Sequence, residues 1–502
     1  MEITSMLSVV CFFTALVIAQ WMYHHELFVA FTTGGNIAEL HHEIVIGILS
    51  ARENSDQRQA IRETWAQYIQ DQSALRDKLL VRFIIGNKGC DIPYKYREDS
   101  HSCKSVSINT SMVNNRKEMV AFNFKKPSNR SYGEKRSLNG EYYGMDFSVH
   151  YALILKRLGL YDTGSLNHQP TVTLYDSWRQ QAVISVAFTP DDPGTLQDGY
   201  RYKDVETFLF PKNFEGTIVV GPLRGDHSLL SGIKANQRES HIQNTNNILS
   251  VRTFLRTAKT ATFPTEIGLQ NFPFSPGNFI FEIHKPEDVE KMLNSRSTAT
   301  QSNIEKNRKE SEALIAELQQ HNDLLLVDQV DVYRNIPQKL LHFFRWAINN
   351  TRANFIIKTD DDCFMNVDQI MEVLKEGHIT VNSHSWWGSF RTNWPLDVLG
   401  KWAEHEYPSP VYPAFACGSG NLLTRDLVQW ISQNAQFLHT YQGEDVSMGI
   451  WLASILPIYI DDKRWQCGDT CHKDVLVLPE QSPQQLRFLW HNWVLCQNPC
   501  GC

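Results

Sequence analysis

The sequence predicts an α/β protein that carries an inserted β-rich domain and an N-terminal membrane anchor. Near both ends of the 502-residue chain, apolar runs of strand length alternate with amphipathic helical patterns. Between them, from about residue 171, short strand-like runs are separated by turn residues. Ahead of both, residues 6–23 contain no charged side chain. A chain of this length accommodates two or three domains.

The N-terminal segment 6–23, "MLSVVCFFTALVIAQWMY", is long enough to cross a membrane. As a helix it spans about 27 Å, which matches a thin bilayer of about 27 Å such as that of the endoplasmic reticulum. We therefore expect a signal anchor, with a cytosolic tail at 1–5 and a stem at 24–40. A cleaved signal peptide is the alternative, because "VIA" ending at Ala19 fits a cleavage site. Both interpretations place the body of the chain in the lumen of the endoplasmic reticulum or Golgi.

Cysteines and glycosylation motifs agree with a lumenal location. Five of the ten cysteines lie near the C-terminus, namely Cys467, Cys471, Cys496, Cys500 and Cys502. Their spacing also fits a zinc cluster, but an oxidising lumen favours disulfides. Sequons occur at Asn109, Asn129 and Asn349. The net charge of −7 argues against a large nucleic-acid-binding surface.

Residues 41–90 are predicted to be the first part of an α/β core. "EIVIGILS" (43–50) and "LLVRFIIG" (79–86) have the apolar character of buried parallel strands. Between them, Ile61, Trp65 and Ile69 recur at helical spacing, and Ser55 or Asp56 is placed to cap that helix. This βαβ order is typical of an open α/β sheet.

Residues 91–295 are predicted to be an insertion that is β-rich in its second half. Residues 90–166 are polar, with a basic stretch at 125–136, which favours a solvated surface. From about Thr171 the pattern changes to short strands and turns, which predicts a small antiparallel β domain. We expect the two parts of the core to close on each other without it.

Residues 296–502 are predicted to complete the core. A charged helix at about 303–320 leads to the strand "DLLLVDQV", and the amphipathic helix "IPQKLLHFFRWAINN" leads to the strand "NFIIKT". Three aspartates, Asp360, Asp361 and Asp362, follow that strand directly. The triplet therefore lies at the carboxyl end of a strand, where open α/β sheets bind their ligands.

Three adjacent carboxylates repel each other, so a positive partner is expected beside them. Mn²⁺ or Mg²⁺ fits, because both prefer oxygen ligands, and a diphosphate supplies the oxygens that the protein lacks. A metal on a diphosphate also withdraws charge from a leaving group. An acidic turn that merely caps a helix is the alternative.

Two further motifs bear on the chemistry. Glu444 and Asp445 follow Gly443 at the predicted start of a helix, where acidic residues also favour the helix dipole without any catalytic role. The glycines of "CGSG" (417–420) suggest a close approach of the backbone to a ligand, although a glycine turn between two strands explains them equally well.

Together these segments resemble the inverting β-1,3-glycosyltransferases of glycosyltransferase family 31, which have a GT-A fold. The matching motifs, in order, are "RQAIRETW", "VDVYRNIPQKLLHFFRWA", "KTDDDCF", "WWGSF", "YPSPVYPAFACGSG" and "EDVSMG". They cover about 41–90 and 300–490 and leave the insertion outside. The resemblance implies a Rossmann-like core that binds a nucleotide sugar, and a single displacement assisted by Mn²⁺ or Mg²⁺.

The resemblance also assigns roles to individual residues. It implies that Asp445 is the catalytic base. It implies metal binding by Asp360 and Asp362, and nucleotide binding by Arg58, Arg62, Asp360 and Asp361, with a structural role in the sheet as the alternative for Arg62. Many relatives have a metal-binding histidine where this chain has Pro479, so the third protein ligand is open, with His472 as a candidate.

The insertion, "NWPLDVLGKW" and "TYQGEDVSMGIWLA" resemble members of the family that transfer N-acetylgalactosamine. This implies UDP-N-acetylgalactosamine as donor and a terminal N-acetylglucosamine as acceptor, as on the O-mannosyl glycan of α-dystroglycan. Transfer of galactose or N-acetylglucosamine is the alternative within the family. Outside it, a metal-dependent phosphohydrolase or a binding protein on a decayed transferase fold are the rivals.

Overall fold

The computed structural model describes residues 41–105, 118–124, 137–162, 166–226, 242–244, 248–271, 275–397, 400–404 and 406–502. The predicted tail, anchor and stem (1–40) and the sequons at Asn109 and Asn129 lie outside these ranges. Within them, no helix is both long and apolar enough to cross a membrane. Asn349 is exposed near the end of a helix.

The secondary structure alternates between the two predicted types along the chain. The strands are β1 Ile44–Leu49, β2 Leu79–Lys88, β3 Met119–Val120, β4 Phe122–Phe124, β5 Ser137–Val149, β6 Leu153–Tyr161, β7 Thr171–Asp176, β8 Gln181–Ala187, β9 Thr195–Gln197, β10 Tyr200–Phe210, β11 Glu215–Asp226, β12 Ile242–Asn244, β13 Leu249–Ala258, β14 Glu266–Asn271, β15 Gly277–Ile283, β16 Leu324–Val330, β17 Phe355–Asp360, β18 Phe364–Met365, β19 Ser385–Arg391, β20 Phe415–Thr424, β21 Ile458–Asp461 and β22 Val477–Leu478. The helices are α1 Ser55–Arg62, α2 Trp65–Asp71, α3 Ser73–Arg76, α4 Pro286–Asn294, α5 Arg296–His321, α6 Ile336–Asn350, α7 Val367–Lys375, α8 Arg425–Asn434, α9 Glu444–Ala453 and α10 Pro483–Cys496.

The core is a seven-stranded mixed sheet with the strand order β16-β2-β1-β17-β20-β19-β21. Strand β1 runs parallel to β2 and β17, so Ile46 lies opposite Val81 and Ile357. All six residues of β1 are buried, as expected of a parallel strand that is covered on both faces. Because β1 and β17 are in register, Leu49 lies beside Asp360 at their carboxyl ends.

Helices cover both faces of this sheet. One apolar core joins β1 to α1, α2, α5, α7 and α10, and the other joins it to α6, α8 and α9. Helix α6 packs so closely that a Cβ atom at Gly47 would lie 2.3 Å from the Phe343 ring. The predicted α/β core, in two parts of the chain, is therefore present.

The insertion consists mainly of a five-stranded and a six-stranded antiparallel sheet, which share one core around Phe147, Leu155, Ile218 and Phe279. Its strands begin earlier than the sequence indicated. Strands β5 and β6 lie in the segment that we expected to be a polar surface, and each buries a row of apolar side chains. The prediction that only the second half is β-rich was wrong on this point. Helix α5 follows Ser295 and packs against the core sheet through Leu314.

Disulfides, rather than a zinc cluster, account for the C-terminal cysteines. The bridges in the described residues are Cys90–Cys103, Cys417–Cys467, Cys471–Cys500 and Cys496–Cys502. Cys363 is buried and unbridged. The first bridge closes a short arm at the start of the insertion, and the second ties β20 to the segment that follows β21.

Candidate active site

A cavity of about 830 Å³ opens at the carboxyl ends of β1 and β17. Its lining includes Ser50 and Ala51 after β1, Asp360–Asp362 after β17, and Gly443–Val446 at the start of α9. The two acidic motifs, which are more than eighty residues apart in the chain, therefore face one space. This is the position that the strand order of an α/β sheet predicts for a ligand.

Lys358, at the end of β17, is the positive partner that the aspartate triplet requires. Its side chain is 1% exposed, and its Nζ lies 2.9 Å from Asp360 and 2.7 Å from Glu444. It also donates to the carbonyl of Gly418 in β20. The Asp360 carboxylate thus has a protein cation beside it. The expectation that Asp360 also binds a metal stays a prediction, because the contact with Lys358 involves one oxygen of this carboxylate, Oδ1.

The other two aspartates have different surroundings. Asp361 is buried and accepts a hydrogen bond of 2.9 Å from the Asn54 side chain. Asn54, rather than the expected Ser55 or Asp56, immediately precedes helix α1, and its amide turns to Asp361 instead of capping the helix. Asp362 is partly exposed and lines the cavity. Asp360 is partly exposed as well, but Lys358 lies beside its carboxylate, so Asp362 is the better placed of the two to bind a cation.

Asp445 reaches the cavity because of the unusual backbone before it. Gly443 has a φ of +98°, a conformation that favours glycine, and a Cβ there would lie 2.8 Å from the Asp445 carboxylate. Asp445 accepts a hydrogen bond of 2.8 Å from the amide of Val446 at the start of α9. Across the cavity, a Cβ at Gly418 would lie 3.0 Å from Glu444 and 3.7 Å from Asp445. The glycines of both motifs therefore allow the close approach of these segments.

The electrostatics of the cavity suit Asp445 as a base. Burial, and then the neighbouring Glu444 carboxylate, raise the pKa of Asp445 to about 7, although Lys358 and Arg391 act in the opposite direction. A carboxylate with this pKa accepts a proton more readily near neutral pH than an ordinary aspartate. The charged or titratable groups that act on Asp445 or feel its charge are Glu444, Lys358, Arg391, Tyr333 and Tyr412.

Arg58 and Arg62 do not line the cavity, contrary to the expectation that they bind the nucleotide. Arg58 is fully buried and pairs with Glu317 of helix α5 at 2.8 Å, while Arg62 pairs with Glu317 and with Asp323, each at 2.7 Å. Arg58 also donates to Ser50 Oγ and to the carbonyl of Ala51. Arg58 therefore holds the loop after β1 in place, whereas Arg62 ties the end of α1 to α5 and to Asp323.

The carboxylates present fit a divalent cation only if a bound nucleotide diphosphate supplies further oxygen ligands. No group of three or more histidine, cysteine, aspartate or glutamate side chains is arranged to hold a metal in the described part of the chain. Pro479 lines the cavity, and Glu480 follows it. Pro479 stands where the family resemblance implies a metal-binding histidine. His472 is exposed and is not among the lining residues, so the structure does not support it as a third ligand.

Part of the cavity wall is aromatic, and another part comes from the insertion. Tyr333, Trp394, Trp402 and Tyr412 line the aromatic part, and Trp402 donates a hydrogen bond of 3.0 Å to the Tyr333 hydroxyl. The disulfide-closed arm of the insertion adds a further set of lining residues: Tyr94, Arg97, Ser100 and His101. The predicted boundary at residue 90 therefore cuts through the lining of the cavity, while the expectation that the core closes without the insertion stays a prediction.

Sequence reasoning missed Lys358, Gln442 and the arm of the insertion. A lysine inside an otherwise apolar strand was a visible signal for the first. For Gln442 and for the polar arm, no sequence pattern predicts that they line the cavity.

Comparisons with known proteins agree with the motifs. The family model described as "Galactosyltransferase" matches residues 302–461. The UDP-GalNAc:beta-1,3-N-acetylgalactosaminyltransferase 2 of Danio rerio is 38% identical over 463 residues, which cover 92% of this chain and 91% of the relative. The Homo sapiens protein of the same name is 37% identical over 465 residues, with 92% and 90% covered. Beta-1,3-galactosyltransferase 6 of Mus musculus is 30% identical over 198 residues, 38% of this chain and 61% of the relative.

Proposed function

The chain belongs to the galactosyltransferase family, and on that premise we propose that it transfers N-acetylgalactosamine from UDP-N-acetylgalactosamine in β-1,3 linkage to a terminal N-acetylglucosamine. The similarity to the N-acetylgalactosaminyltransferase 2 relatives supports this donor, because it extends over 92% of the chain. For the acceptor we propose a glycoprotein glycan such as an O-mannosyl glycan. The observation that carries the proposal is the single cavity that joins the aspartate triplet to Asp445.

The proposed reaction is a single displacement. Asp445 accepts the proton of the acceptor 3-hydroxyl while that oxygen bonds to the anomeric carbon of the donor sugar. The bond from that carbon to the UDP oxygen breaks on the opposite face, and UDP leaves with the electron pair. The raised pKa of Asp445 supports its role as the base in this step.

We propose that Asp362 binds Mn²⁺ or Mg²⁺ together with oxygens of the donor diphosphate. The partial exposure of Asp362 in the cavity and the pairing of Asp360 with Lys358 support this choice. A cation there would stabilise negative charge on the diphosphate. Asp361, held by Asn54, and the neighbouring Asp360 are proposed to contact the nucleotide.

We propose that the chain is a single-pass type II membrane protein whose catalytic part lies in the lumen of the endoplasmic reticulum or Golgi. Residues 6–23 would provide the anchor. The four disulfides of the described residues support an oxidising compartment. Protease protection in intact microsomes tests the topology, since digestion of the body from the cytosolic side would exclude it.

The decisive experiment compares the two acidic motifs in the full chain. Transfer from several UDP sugars to defined acceptors, with linkage analysis, identifies the reaction. Asp362→Ala should weaken metal-dependent UDP binding, because it removes a cation ligand. Asp445→Asn should keep UDP affinity near wild type but lower the transfer rate by roughly 10²–10⁴-fold, because it keeps the shape and loses proton acceptance.

The exposed Asp71, which lies outside the cavity, provides a matched control, and Asp71→Asn should change neither quantity. If Asp445→Asn keeps more than about a tenth of the wild-type rate, another group is the base. If it loses UDP binding as severely as Asp362→Ala, Asp445 belongs to the nucleotide site. Acceptor-independent release of phosphate from nucleotides would instead favour a phosphohydrolase.

A further inference from the structure

Gln442 lies in the wall of the cavity, two and three residues before the acidic pair of α9, and the proposed reaction gives it no role. Its side chain is 7% exposed, yet it lines the cavity. Its backbone amide donates a hydrogen bond of 2.7 Å to Glu404. Its side-chain oxygen accepts a hydrogen bond of 2.8 Å from Arg334. Both ends of the residue are therefore fixed.

The contact with Arg334 decides which way the Gln442 amide points. A guanidinium group only donates hydrogen bonds, so the atom that faces Arg334 must be the oxygen, Oε1. The NH₂ group, Nε2, then lies on the other branch of the amide. Within the described residues, Nε2 is buried and has no hydrogen-bond partner. An unpaired buried donor is costly, which favours a partner that arrives with the ligand.

Hydrogen bonds connect Gln442 to the aromatic wall of the cavity. Arg334 follows Tyr333 of the aromatic wall and also donates to the carbonyl of Ala403, the residue after Trp402. The proposed reaction assigns the aspartate triplet to the donor diphosphate, which leaves the aromatic wall for the acceptor.

Arg334 connects this wall to the insertion. Its Nε donates to Asp99 at 3.1 Å, and its backbone amide donates to the carbonyl of His101 at 3.1 Å. Both residues belong to the disulfide-closed arm between Cys90 and Cys103. The orientation of Gln442 therefore depends on Arg334, which is itself held by the insertion.

We propose that Gln442 Nε2 donates a hydrogen bond to an oxygen of the acceptor's terminal sugar, beside the hydroxyl that Asp445 deprotonates. Gln442 is thereby a specificity-determining residue for the acceptor, and Arg334 is a positioning residue that sets its orientation. The inference rests on the proposed function, since it names the group that recognises the acceptor. Either a hydroxyl or the N-acetyl carbonyl of the sugar supplies the required acceptor oxygen.

Two variants of the full chain separate the donor role from a structural one. Gln442→Glu keeps an oxygen for Arg334 and removes the N–H donor, while Gln442→Met removes both without adding a charge. Both should raise the KM for the acceptor about tenfold and leave UDP affinity, measured by calorimetry, within about twofold of wild type. Arg334→Lys should raise the same KM, because a lysine cannot reproduce the three contacts of the guanidinium group.

The matched control is Gln329→Met. Gln329 is also buried, at 9% exposure, but it donates to the Asn335 carbonyl and does not line the cavity. This variant should leave the acceptor KM unchanged. Acceptors that end in glucose instead of N-acetylglucosamine identify the oxygen, since loss of discrimination in Gln442→Met points to the N-acetyl carbonyl, and retained discrimination points to a hydroxyl.

The outcomes are separable from those of the proposed function. Wild-type transfer with an unchanged acceptor KM in Gln442→Met overturns the inference alone. A fall in UDP affinity as large as the rise in acceptor KM also overturns the inference. Gln442 would then stabilise the whole segment before α9 rather than bind the acceptor. A wild-type chain that transfers no sugar overturns the proposed function, and the inference falls with it.

Discussion

Replacement of Lys358 by methionine is the sharpest test of how the acidic cavity is stabilised. The substitution keeps most of the apolar stem but removes the cation that lies 2.9 Å from Asp360 and 2.7 Å from Glu444. The Glu444 side chain is only 10% exposed, so water can hardly solvate its carboxylate once the lysine is removed. Asp360, at 37%, can be partly rehydrated, and its share of the loss is small.

Removal of one partner of a buried ion pair costs about 3–5 kcal/mol. Since a whole domain is stable by about 5–15 kcal/mol, this loss is a large fraction of the total. With a urea dependence of about 3 kcal/mol per molar, the unfolding midpoint should fall by roughly 1–2 M. The measurement is urea unfolding of the purified full chain, followed by tryptophan fluorescence.

Lys78→Met is the matched control, because Lys78 and Glu43 form an ion pair whose side chains are 49% and 39% exposed. Such a surface pair contributes at most about 1 kcal/mol, so the midpoint should move by no more than about 0.3 M. The double variant Lys358→Met/Glu444→Gln should recover part of the loss, because the unpaired charge is gone. If Lys358→Met unfolds at the same urea concentration as Lys78→Met, the buried pair does not stabilise the fold and the reasoning is refuted.

Three further predictions concern Asp445 and the insertion. The transfer rate should rise with pH through about 7, because Asp445 must lose its proton to act as a base, and the residual rate of Asp445→Asn should lack this rise. Because of the same raised pKa, the folded chain holds a proton on Asp445 that the unfolded chain releases between about pH 4 and pH 7. The contribution of Asp445 to the free energy of unfolding should therefore decline as the pH rises through that range. Urea midpoints measured across the range should show this decline in the wild type and not in Asp445→Asn. A Cβ at Gly400 would lie 2.6 Å from the Trp178 ring, so the insertion contacts the loop before Trp402. Trp178→Ala should therefore raise the acceptor KM several-fold at constant UDP affinity. Leu196→Ala, at another exposed apolar residue of the insertion, should leave this KM unchanged, and equal effects of the two variants would contradict a specific contact.

Much of the core could be predicted because its pattern is local. Buried parallel strands appear as short apolar runs, and amphipathic helices repeat their apolar residues at helical spacing. The aspartate triplet also predicts a binding site, because three negative charges after a buried strand need a positive partner. The strand β5 was predictable in principle, because Tyr143, Met145, Phe147 and Val149 alternate and are all buried. The prediction missed this alternation because the segment around it, 90–166, is polar on average.

The partners of charged groups could not be predicted, because they are distant in the chain. Arg58 meets Glu317 at a sequence separation of 259 residues, and Lys358 meets Glu444 at a separation of 86. An arginine near a predicted nucleotide site fits a phosphate as well as it fits a buried carboxylate. Only the packing of α5 beneath the loop after β1 decides between them, and it turns Arg58 and Arg62 away from the cavity.

The distribution of the similarity along the chain supports a division of labour within the cavity. The family model and the galactosyltransferase 6 relative match only part of the chain, whereas the N-acetylgalactosaminyltransferase 2 relatives match across the insertion as well. The elements that carry the aspartate triplet and Asp445 fall within the shared part. The arm that holds Arg334, and through it Gln442, falls outside it. A segment that varies among transferases while the nucleotide side is retained is the natural place to encode the choice of acceptor. This is why the acceptor KM, rather than UDP affinity, should respond when the contacts between insertion and core are changed.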